Sequence, residues 1–415
     1  MKSCSLKYKS IGEAEVEIEA PSSKSIHNRL LILKKLYFPN LNLLNESMAG
    51  DSVLLKEIIQ QPFTHTTLDA LDAGTCFRFM TALLSVTTSH CVLTGTKRMK
   101  ERPVKGLVDM LRQAGADITY TEKEGFPPLK IKGKALEGGV VIHSESNVSS
   151  QFFSAMAMVA PSFSKGLTLI LPDNLGSKPY WQMTLDCMCQ LGIPYEKQTD
   201  TRYYFPHFQP VNEHKEFKIE QDWSGASYFV LLPLLIQDLT IILKGFSLNS
   251  IQGDAAFLKK IAPQLALKLT ETREGVCITK LRQNTALPER IDFKSAPDLS
   301  LNFIVMMALL RHDIVFTGLE SLAVKESDRT LAIQQELQKV GVQFFNQENA
   351  WHLKTQGFSL SSTIEFSTYK DHRVAMALSY FGLFTQAIIH EPESVSKSFP
   401  DFWNQLSKTG IFCNI

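Results

Sequence analysis

Charged residues crowd the stretch VKESDR at positions 324–329. Lys325 and Arg329 are cations four residues apart, and two carboxylates lie between them. An apolar pattern with helical spacing follows, so the sequence predicts a helix that begins near Ser327. Cations are disfavoured at the N-terminal end of a helix, because the helix dipole is positive there. Either the carboxylates neutralise the cations in a solvated turn, or the cations bind an anion that is not part of the chain.

The composition is that of a globular protein of two or three domains. The chain has 415 residues, of which 44% are hydrophobic and 20% charged. Its net charge of +1 provides no overall field for nucleic acid or an anionic membrane. The opening MKSCSLKYKS lacks the apolar segment of a signal peptide, and the seven cysteines include no CxxC pair. These features predict a cytoplasmic protein without a disulfide scaffold or a structural zinc site.

An internal repeat runs along the chain with a spacing of about 70 residues. Each copy reads as a short strand, a polar loop, an amphipathic helix and another strand. Clear copies begin at residues 93, 167, 239 and 314, and weaker copies begin near residues 41 and 387. Gly115, Gly192 and Gly341 follow three of these helices, at the position where a left-handed C-cap favours glycine.

A second element precedes each copy of the repeat. It has a short polar or charged opening and then a helix that is apolar nearly all round, which is typical of a buried helix. The six elements are PSSKSIHNRLLIL at 21, DAGTCFRFMTALL at 72, SNVSSQFFSAMAMVA at 146, QDWSGASYFVLLPLL at 221, SAPDLSLNFIVMMALL at 295 and YKDHRVAMALSYFGL at 369. A single opening would be an ordinary N-cap. Six in matched positions favour a shared anion site, because helix N-termini attract phosphates and carboxylates.

Several motifs together resemble the family of 5-enolpyruvylshikimate-3-phosphate synthases. They are SKSIHNR, AGTCFR, TGTKRMKERP, SSQF, SKPY, PDLS, VKESDR, DHRVAMA and KSFPDF, in this order between residues 23 and 402. The resemblance implies an α/β fold of two domains, each of three βαβαββ repeat units around buried helices (an inside-out α/β barrel). Residues 21–219 would form the N-terminal domain, and residues 1–20 with 220–415 the C-terminal domain. The family's active site lies between its domains.

The resemblance also implies a reaction. Members of the family transfer the enolpyruvyl group of phosphoenolpyruvate to the 5-hydroxyl of shikimate 3-phosphate and release phosphate, through a tetrahedral ketal. This step belongs to the shikimate pathway to chorismate and the aromatic amino acids, and it is the target of glyphosate. No metal ion and no organic cofactor are implied. The expected partners are the two small-molecule substrates, with no nucleic acid and no membrane, and the expected form is a cytoplasmic monomer.

Both substrates carry a phosphate and a carboxylate, so the site needs several cations, and the planar fork of arginine suits such anions. By the resemblance, phosphoenolpyruvate is bound by Lys24, Gly74, Arg98, Gln151, Arg329, Arg373 and Lys397. Shikimate 3-phosphate is bound by Lys24, Ser25, Arg29, Ser149, Ser150, Gln151, Ser177, Asp298 and Lys325. A glycine at position 74 lets the backbone approach a ligand closely.

Acid–base chemistry is assigned by the resemblance to three residues. Asp298 takes the proton of the 5-hydroxyl, Glu326 is the acid at the methylene carbon, and Lys24 shares in proton transfer. Asp298 also stands at the start of a buried helix, so an N-cap role is the alternative for it. Asp222, in a comparable position, is expected to be a cap or a hinge residue rather than a catalyst.

The sequence departs from the family pattern near the expected phosphoenolpyruvate site. Asp72 stands where asparagine is usual, and Phe79 stands where proline or leucine is common. Both bear on glyphosate sensitivity. The basic run of TGTKRMKERP could also be a surface patch, but Pro103 fits the first turn of an amphipathic helix.

Two other functions compete with this one. The enolpyruvyl transferases that act on UDP-N-acetylglucosamine share the fold, but they usually have a cysteine on the loop that reads TGTKRMKERP in this chain. A non-catalytic binding protein on the same fold is the second, and retention of both Asp298 and Glu326 argues against it.

Overall fold

The structure is a computed structural model that describes residues 2–143, 149–282 and 285–414. Short 3₁₀ turns extend or precede several of its helices. The α-helices in these residues are α1 (Lys24–Tyr37), α2 (Gly50–Gln60), α3 (Gly74–Val86), α4 (Lys97–Lys100), α5 (Lys105–Gln113), α6 (Ser150–Val159), α7 (Lys178–Gln190), α8 (Trp223–Val230), α9 (Gly253–Ile261), α10 (Ser300–Leu309), α11 (Arg329–Gln338), α12 (His372–Leu378) and α13 (Phe402–Ser407).

The strands alternate with these helices along the chain. They are β1 (Ser3–Tyr8), β2 (Ala14–Ile18), β3 (Leu41–Leu44), β4 (Thr64–Asp69), β5 (Ser89–Thr94), β6 (Asp117–Tyr120), β7 (Leu129–Gly133), β8 (Val141–His143), β9 (Leu167–Ile170), β10 (Glu196–Lys197), β11 (Arg202–Phe205), β12 (Lys215–Lys218), β13 (Leu239–Lys244), β14 (Leu267–Glu271), β15 (Gly275–Lys280), β16 (Arg290–Asp292), β17 (Ile314–Thr317), β18 (Gln343–Gln347), β19 (Ala350–Lys354), β20 (Thr363–Phe366), β21 (Gln386–His390) and β22 (Ile411–Asn414).

Five four-stranded sheets in the described residues share one pairing pattern. In each, the first two strands are parallel, and the third and fourth strands each pair antiparallel with the strand before them. In one of them β5 is parallel to β4 and antiparallel to β7, which pairs antiparallel with β6. The same pattern joins β8, β9, β11 and β10, then β2, β13, β15 and β14, then β16, β17, β19 and β18, and finally β20, β21, β1 and β22. In the described residues the remaining sheet is the parallel pair β3 and β12. The predicted repeat architecture is confirmed.

The chain divides into two compact units, Ser23–Ile219 and Met1–Ser22 with Glu220–Ile415. We call them the central unit and the terminal unit. Each contains three of the sheets. In the terminal unit the two ends of the chain meet, because β1 and β22 pair antiparallel in the same sheet.

Three buried helices lie in each unit, as the sequence predicts. They are α1, α3 and α6 in the central unit and α8, α10 and α12 in the terminal unit. Every residue of α8, α10 and α12 is buried, which explains why these segments are apolar on all faces. No helix within the described ranges is long and apolar enough to cross a membrane.

The predicted glycine caps are confirmed, and two predicted helix starts need correction. Gly115, Gly192 and Gly341 have φ angles of 95°, 81° and 73°, in the left-handed region. Helix α11 begins at Arg329 rather than near Ser327. The helix that was expected to open at Pro103 begins at Lys105 instead, after a separate short helix, α4.

Candidate active site

Asp298 lies among three cations in the terminal unit. Its Oδ1 atom is 3.0 Å from Nη1 of Arg329 and 3.3 Å from Nζ of Lys325. Its Oδ2 atom is 3.4 Å from Nη2 of Arg373, whose Nη1 donates to the Asp298 carbonyl oxygen over 2.9 Å. Four of the residues predicted from the sequence therefore lie together.

Glu326 joins the same cluster from the other side of Arg329. Its Oε2 atom accepts from Nη2 of Arg329 over 2.9 Å, and its Oε1 atom is 3.8 Å from Nζ of Lys397. Lys397 ends a 3₁₀ turn of residues Pro392–Lys397, so two separate segments supply this part of the site. All six site residues that the sequence places in this unit are brought together.

Asp371 is a member of this cluster that the sequence reasoning missed. It is fully buried and accepts from Nε of Arg329 over 2.8 Å and from the hydroxyl of Ser327 over 3.0 Å. It also caps α12 by accepting from the backbone N–H of Arg373 over 2.9 Å. Its position immediately before the helix, in the motif DHR, is the signal that could have identified it.

The contacts of Arg329 decide whether VKESDR is a solvated turn. Arg329 is 1% exposed and is held by three carboxylates, those of Asp298, Glu326 and Asp371. The remaining carboxylate, that of Asp328, caps α11 by accepting from the backbone N–H of Leu331. The stretch is therefore not a solvated turn, because its arginine is buried inside the cluster.

The cations decide the protonation state of Asp298. Burial alone would raise the pKa of its carboxyl, but the charges of Arg373, Lys325 and Arg329 outweigh burial and hold the pKa well below the usual range. The carboxylates in turn raise the pKa of Arg329 despite its burial. Asp298 is consequently ionised, which is the form that a base requires.

The N-cap alternative for Asp298 is wrong, whereas that for Asp222 is confirmed. Asp298 lies inside the 3₁₀ turn Pro297–Leu299, and the residue at the start of α10 makes no side-chain cap hydrogen bond. Asp222 accepts from the backbone N–H of Gly225 over 3.1 Å and so caps α8.

A further buried carboxyl lies near Arg373. Nη2 of Arg373 donates to the hydroxyl of Ser224 over 2.7 Å, and this hydroxyl also hydrogen-bonds Asp254. Burial, and next the negative charge of Asp298, raise the pKa of Asp254 to about 7. The sequence reasoning did not single out Asp254.

In the central unit, the four predicted serines lie at the starts of helices. Ser25 is the second residue of α1, and Ser150 is the first residue of α6. Ser149 caps α6 and accepts from the backbone N–H of Gln151 over 3.3 Å. Ser177 precedes α7 in a left-handed conformation and makes no cap hydrogen bond. These helix ends are suited to bind a phosphate.

Arg29 links three of these helices. It lies on α1 and is 2% exposed. Its Nε donates to the hydroxyl of Thr184 in α7 over 2.7 Å, and its Nη2 donates to the carbonyl oxygen of Tyr180 in α7 over 3.0 Å and to the hydroxyl of Ser154 in α6 over 3.3 Å. Its Nη1 donates to the carbonyl oxygen of Ser25 over 2.8 Å.

Gln151 is fixed by α3. Its Oε1 accepts from Nη1 of Arg78 over 2.7 Å, and its Nε2 donates to the hydroxyl of Thr75 over 3.2 Å. Arg78 was not predicted. Its signal is an arginine four residues after Gly74 in a helix that is otherwise largely apolar.

Gly74 faces Arg102, a residue that the sequence analysis did not single out. A Cβ atom at position 74 would lie 2.6 Å from the guanidinium of Arg102, which donates to the carbonyl oxygen of Asp72 over 3.2 Å. Arg102 is 4% exposed. The side chain of Arg98 is 35% exposed and pairs with Glu101 at 3.4 Å. Both arginines belong to the motif RMKERP, so the motif alone does not separate them.

Lys24, the first residue of α1, has a protein carboxylate as its partner. Its Nζ lies 3.0 Å from Oδ2 of Asp51, the second residue of α2. The side chain of Lys24 is 14% exposed and that of Asp51 is 7% exposed, so this ion pair is largely shielded from water. Asp51 was not predicted, and its signal is an acidic residue in the first turn of a helix.

Comparison with known proteins agrees with this architecture. The family model described as EPSP synthase (3-phosphoshikimate 1-carboxyvinyltransferase) matches residues 9–406. A 3-phosphoshikimate 1-carboxyvinyltransferase of Bacteroides fragilis (strain YCH46) is 37% identical, over 96% of each chain. One of Photobacterium damsela subsp. piscicida is 34% identical, over 94% of this chain and 96% of that protein.

Solved structures show the same fold. The structure of EPSP synthase from Acinetobacter baumannii superimposes with a TM-score of 0.77 at 18% sequence identity and covers 100% of this chain and 99% of that one. The predicted α/β fold with two domains is thus confirmed. The extent of the family match and the identity to the curated relatives together show that the chain belongs to the EPSP synthase (3-phosphoshikimate 1-carboxyvinyltransferase) family.

Proposed function

We propose that this chain transfers the enolpyruvyl group of phosphoenolpyruvate to the 5-hydroxyl of shikimate 3-phosphate and releases phosphate. The observation that carries the proposal is the cluster in the terminal unit. There, four cations surround two carboxylates that can exchange protons, Asp298 and Glu326. Cations bind the anionic groups of the substrates, and the carboxylates move the protons that addition and elimination require.

Asp298 is the base. The 5-hydroxyl oxygen forms a bond to C2 of phosphoenolpyruvate, and its proton passes to Asp298. In the structure three cations hold the pKa of Asp298 low. When substrate anions bind Lys325 and Arg373, these cations stabilise the carboxylate less, and its pKa rises toward a value suited to proton transfer.

Glu326 is the acid. It gives a proton to the methylene carbon of phosphoenolpyruvate, which becomes the methyl group of the tetrahedral ketal. The ketal then loses phosphate, and one methyl proton returns to a base. Nη2 of Arg329 and Nζ of Lys397 approach opposite oxygens of Glu326. They are therefore placed to hold its orientation and to bind anionic oxygens next to it.

The helix ends of the central unit bind the remaining anionic groups. Arg29 and the serines at positions 25, 149, 150 and 177 bind shikimate 3-phosphate. Lys24 and Gln151 contact both substrates. We assign to Arg102 the phosphoenolpyruvate contact expected of Arg98, because Arg102 is buried against Gly74, whereas Arg98 is only partly buried. Among the residues that the structure describes, the buried Nε of Arg102 has no hydrogen-bond partner, which leaves a donor for a ligand.

We infer further that the central and terminal units are the two enolpyruvyl-transferase domains. The proposed chemistry needs no metal ion and no organic cofactor, because protonation and electrostatic stabilisation suffice for addition and elimination. The protein acts as a cytoplasmic monomer on small-molecule substrates.

Growth of a bacterial strain that lacks its own EPSP synthase tests the proposed function. Such a strain requires aromatic amino acids, and expression of this chain is expected to remove the requirement. The Asp298→Asn variant, expressed to the same level, is the matched control and should not restore growth. Failure of the well-expressed wild-type chain to restore growth would overturn the proposal.

A further inference from the structure

Arg29 is a buried cation whose hydrogen bonds all go to neutral acceptors in the described residues. These acceptors are two hydroxyls and two carbonyl oxygens, contributed by α1, α6 and α7. Burial lowers the pKa of the guanidinium to about 10, and interactions with Cys187 and Tyr180 offset this effect only in part. A guanidinium has five N–H groups, and the described residues accept from four of them. One N–H on Nη1 thus remains for a ligand.

The Arg29 guanidinium lies over an aromatic ring. Cζ of Arg29 lies 5.4 Å from the centroid of the Phe79 ring, and Phe79 is fully buried. The ring therefore adds a contact of a different kind to the four hydrogen bonds of the guanidinium. A cation over an aromatic face is attracted by the ring quadrupole, and the attraction is strongest where water is excluded.

Helix α3 therefore contributes to the binding of both substrates, through residues on different faces of the helix. Gly74 faces Arg102, which is assigned to phosphoenolpyruvate, and Arg78 donates to Gln151, which is assigned to both substrates. Phe79 is the next residue after Arg78, about 100° further round the helix, and its ring meets Arg29 instead. The sequence had connected Phe79 with the phosphoenolpyruvate side, because it lies in the motif AGTCFRF.

We propose that Phe79 is a positioning residue that fixes the Arg29 guanidinium for shikimate 3-phosphate and sets the affinity for this substrate rather than for phosphoenolpyruvate. This inference rests on the proposed function, which assigns Arg29 to shikimate 3-phosphate. A leucine or proline at position 79 lacks a π face and cannot make this contact. Such a residue would leave the guanidinium held by its hydrogen bonds alone.

Calorimetric titration with shikimate 3-phosphate, in the absence of phosphoenolpyruvate, tests the proposal. It compares the Kd of the Phe79→Leu variant with that of wild type. The Kd is expected to rise about 5- to 30-fold, a range that extends from a strong exposed cation–π contact to a desolvated one. The KM for phosphoenolpyruvate and the kcat at saturating shikimate 3-phosphate should stay within about 2-fold of wild type. Phe79→Tyr keeps the ring and should retain most of the affinity. Phe79→Met, which conserves volume without a ring, repeats the test if the leucine variant is poorly folded.

Phe77→Leu is the matched control, because Phe77 is a fully buried phenylalanine of the same helix. It should lower Tm by as much as Phe79→Leu and leave the Kd unchanged. Equal Kd values for wild type and both ring-less variants at position 79 would overturn the proposal. An equal loss of affinity in Phe77→Leu would also overturn it, since the effect would then be one of packing.

Arg29→Gln separates this inference from the proposed function. If Arg29→Gln weakens binding of shikimate 3-phosphate and the ring-less variants do not, only the role of Phe79 is wrong. If a folded Arg29→Gln variant binds shikimate 3-phosphate as well as wild type does, the assignment of Arg29 is wrong, and the inference about Phe79 is wrong with it.

Discussion

Nη1 of Arg329 donates to Oδ1 of Asp298 over 3.0 Å, so the proposed base is tied to a buried cation. The same guanidinium donates through Nη2 to Glu326, the proposed acid. One arginine thus holds both proton-transfer groups in fixed relative positions. This arrangement explains why a cation stands at the start of α11, where the helix dipole disfavours it.

Replacement of Asp298 by asparagine should abolish its function as a base and preserve the fold. We expect kcat to fall by about 10²- to 10⁴-fold, the usual contribution of general acid–base catalysis. The Kd for shikimate 3-phosphate should not rise, because the variant has one negative charge fewer. Phosphate release gives kcat, and fluorescence titration gives the Kd. Asp328→Asn is the matched control, since asparagine caps a helix about as well as aspartate. Near-normal kcat in a folded Asp298→Asn variant would refute the assignment.

Arg102 rather than Arg98 should determine the affinity for phosphoenolpyruvate. For Arg102→Gln we expect the KM for phosphoenolpyruvate to rise about 10- to 100-fold, the range for loss of a hydrogen bond to a charged group. Arg98→Gln should change it by less than about 3-fold, because its ion pair with Glu101 is exposed. Steady-state kinetics with varied phosphoenolpyruvate compares the two. If Arg98→Gln raises the KM more than Arg102→Gln does, Arg98 and not Arg102 is the ligand of phosphoenolpyruvate.

The methyl group of Gly74→Ala should act by displacing Arg102. The new Cβ would lie 2.6 Å from the guanidinium, so this buried side chain must move. We expect a higher KM for phosphoenolpyruvate and an unchanged Kd for shikimate 3-phosphate. A double-mutant cycle checks the mechanism, since Gly74→Ala should have little further effect in an Arg102→Gln background. Additive effects of the two substitutions would show that the methyl group acts on something else.

Asp254 should make stability depend on pH. The folded protein keeps its carboxyl protonated up to about pH 7, because burial and Asp298 raise its pKa, whereas the unfolded chain loses that proton near pH 4. Between these values the folded state binds more protons, so this group destabilises the protein as pH rises. Asp254→Asn removes the effect. The Tm of the variant minus that of wild type should therefore grow between pH 5 and pH 7, by about 1–2 °C per pH unit at most. A difference independent of pH would contradict this prediction.

Periodicity was sufficient to predict the repeat, the six buried helices and the glycine caps, because each leaves a local pattern in the sequence. Six members of the cluster around Asp298 were predictable, since each lies in a distinctive motif, but Asp371 was not. Its internal contacts were not predictable. Whether Asp298 caps a helix or meets cations depends on the 3₁₀ turn before α10, which no pattern indicates.

The sequence predicts Arg98 as the phosphoenolpyruvate ligand and gives no reason to single out Arg102, for a similar reason. The two arginines lie four residues apart in one basic motif, and a turn between α4 and α5 buries only the second. Asp371 and Asp51 were missed because an acidic residue near a helix start is ordinarily a cap. Their additional contacts with Arg329 and Lys24 come from distant parts of the chain.

Product formation with two acceptor substrates offered in parallel tests the central claim most directly. Purified protein is incubated with phosphoenolpyruvate and either shikimate 3-phosphate or UDP-N-acetylglucosamine, and released phosphate and the mass of the acceptor are measured. We predict phosphate release with shikimate 3-phosphate alone, with one enolpyruvyl group added to the acceptor per phosphate. Transfer to UDP-N-acetylglucosamine instead, or no phosphate release from folded protein with either acceptor, would contradict the proposed function.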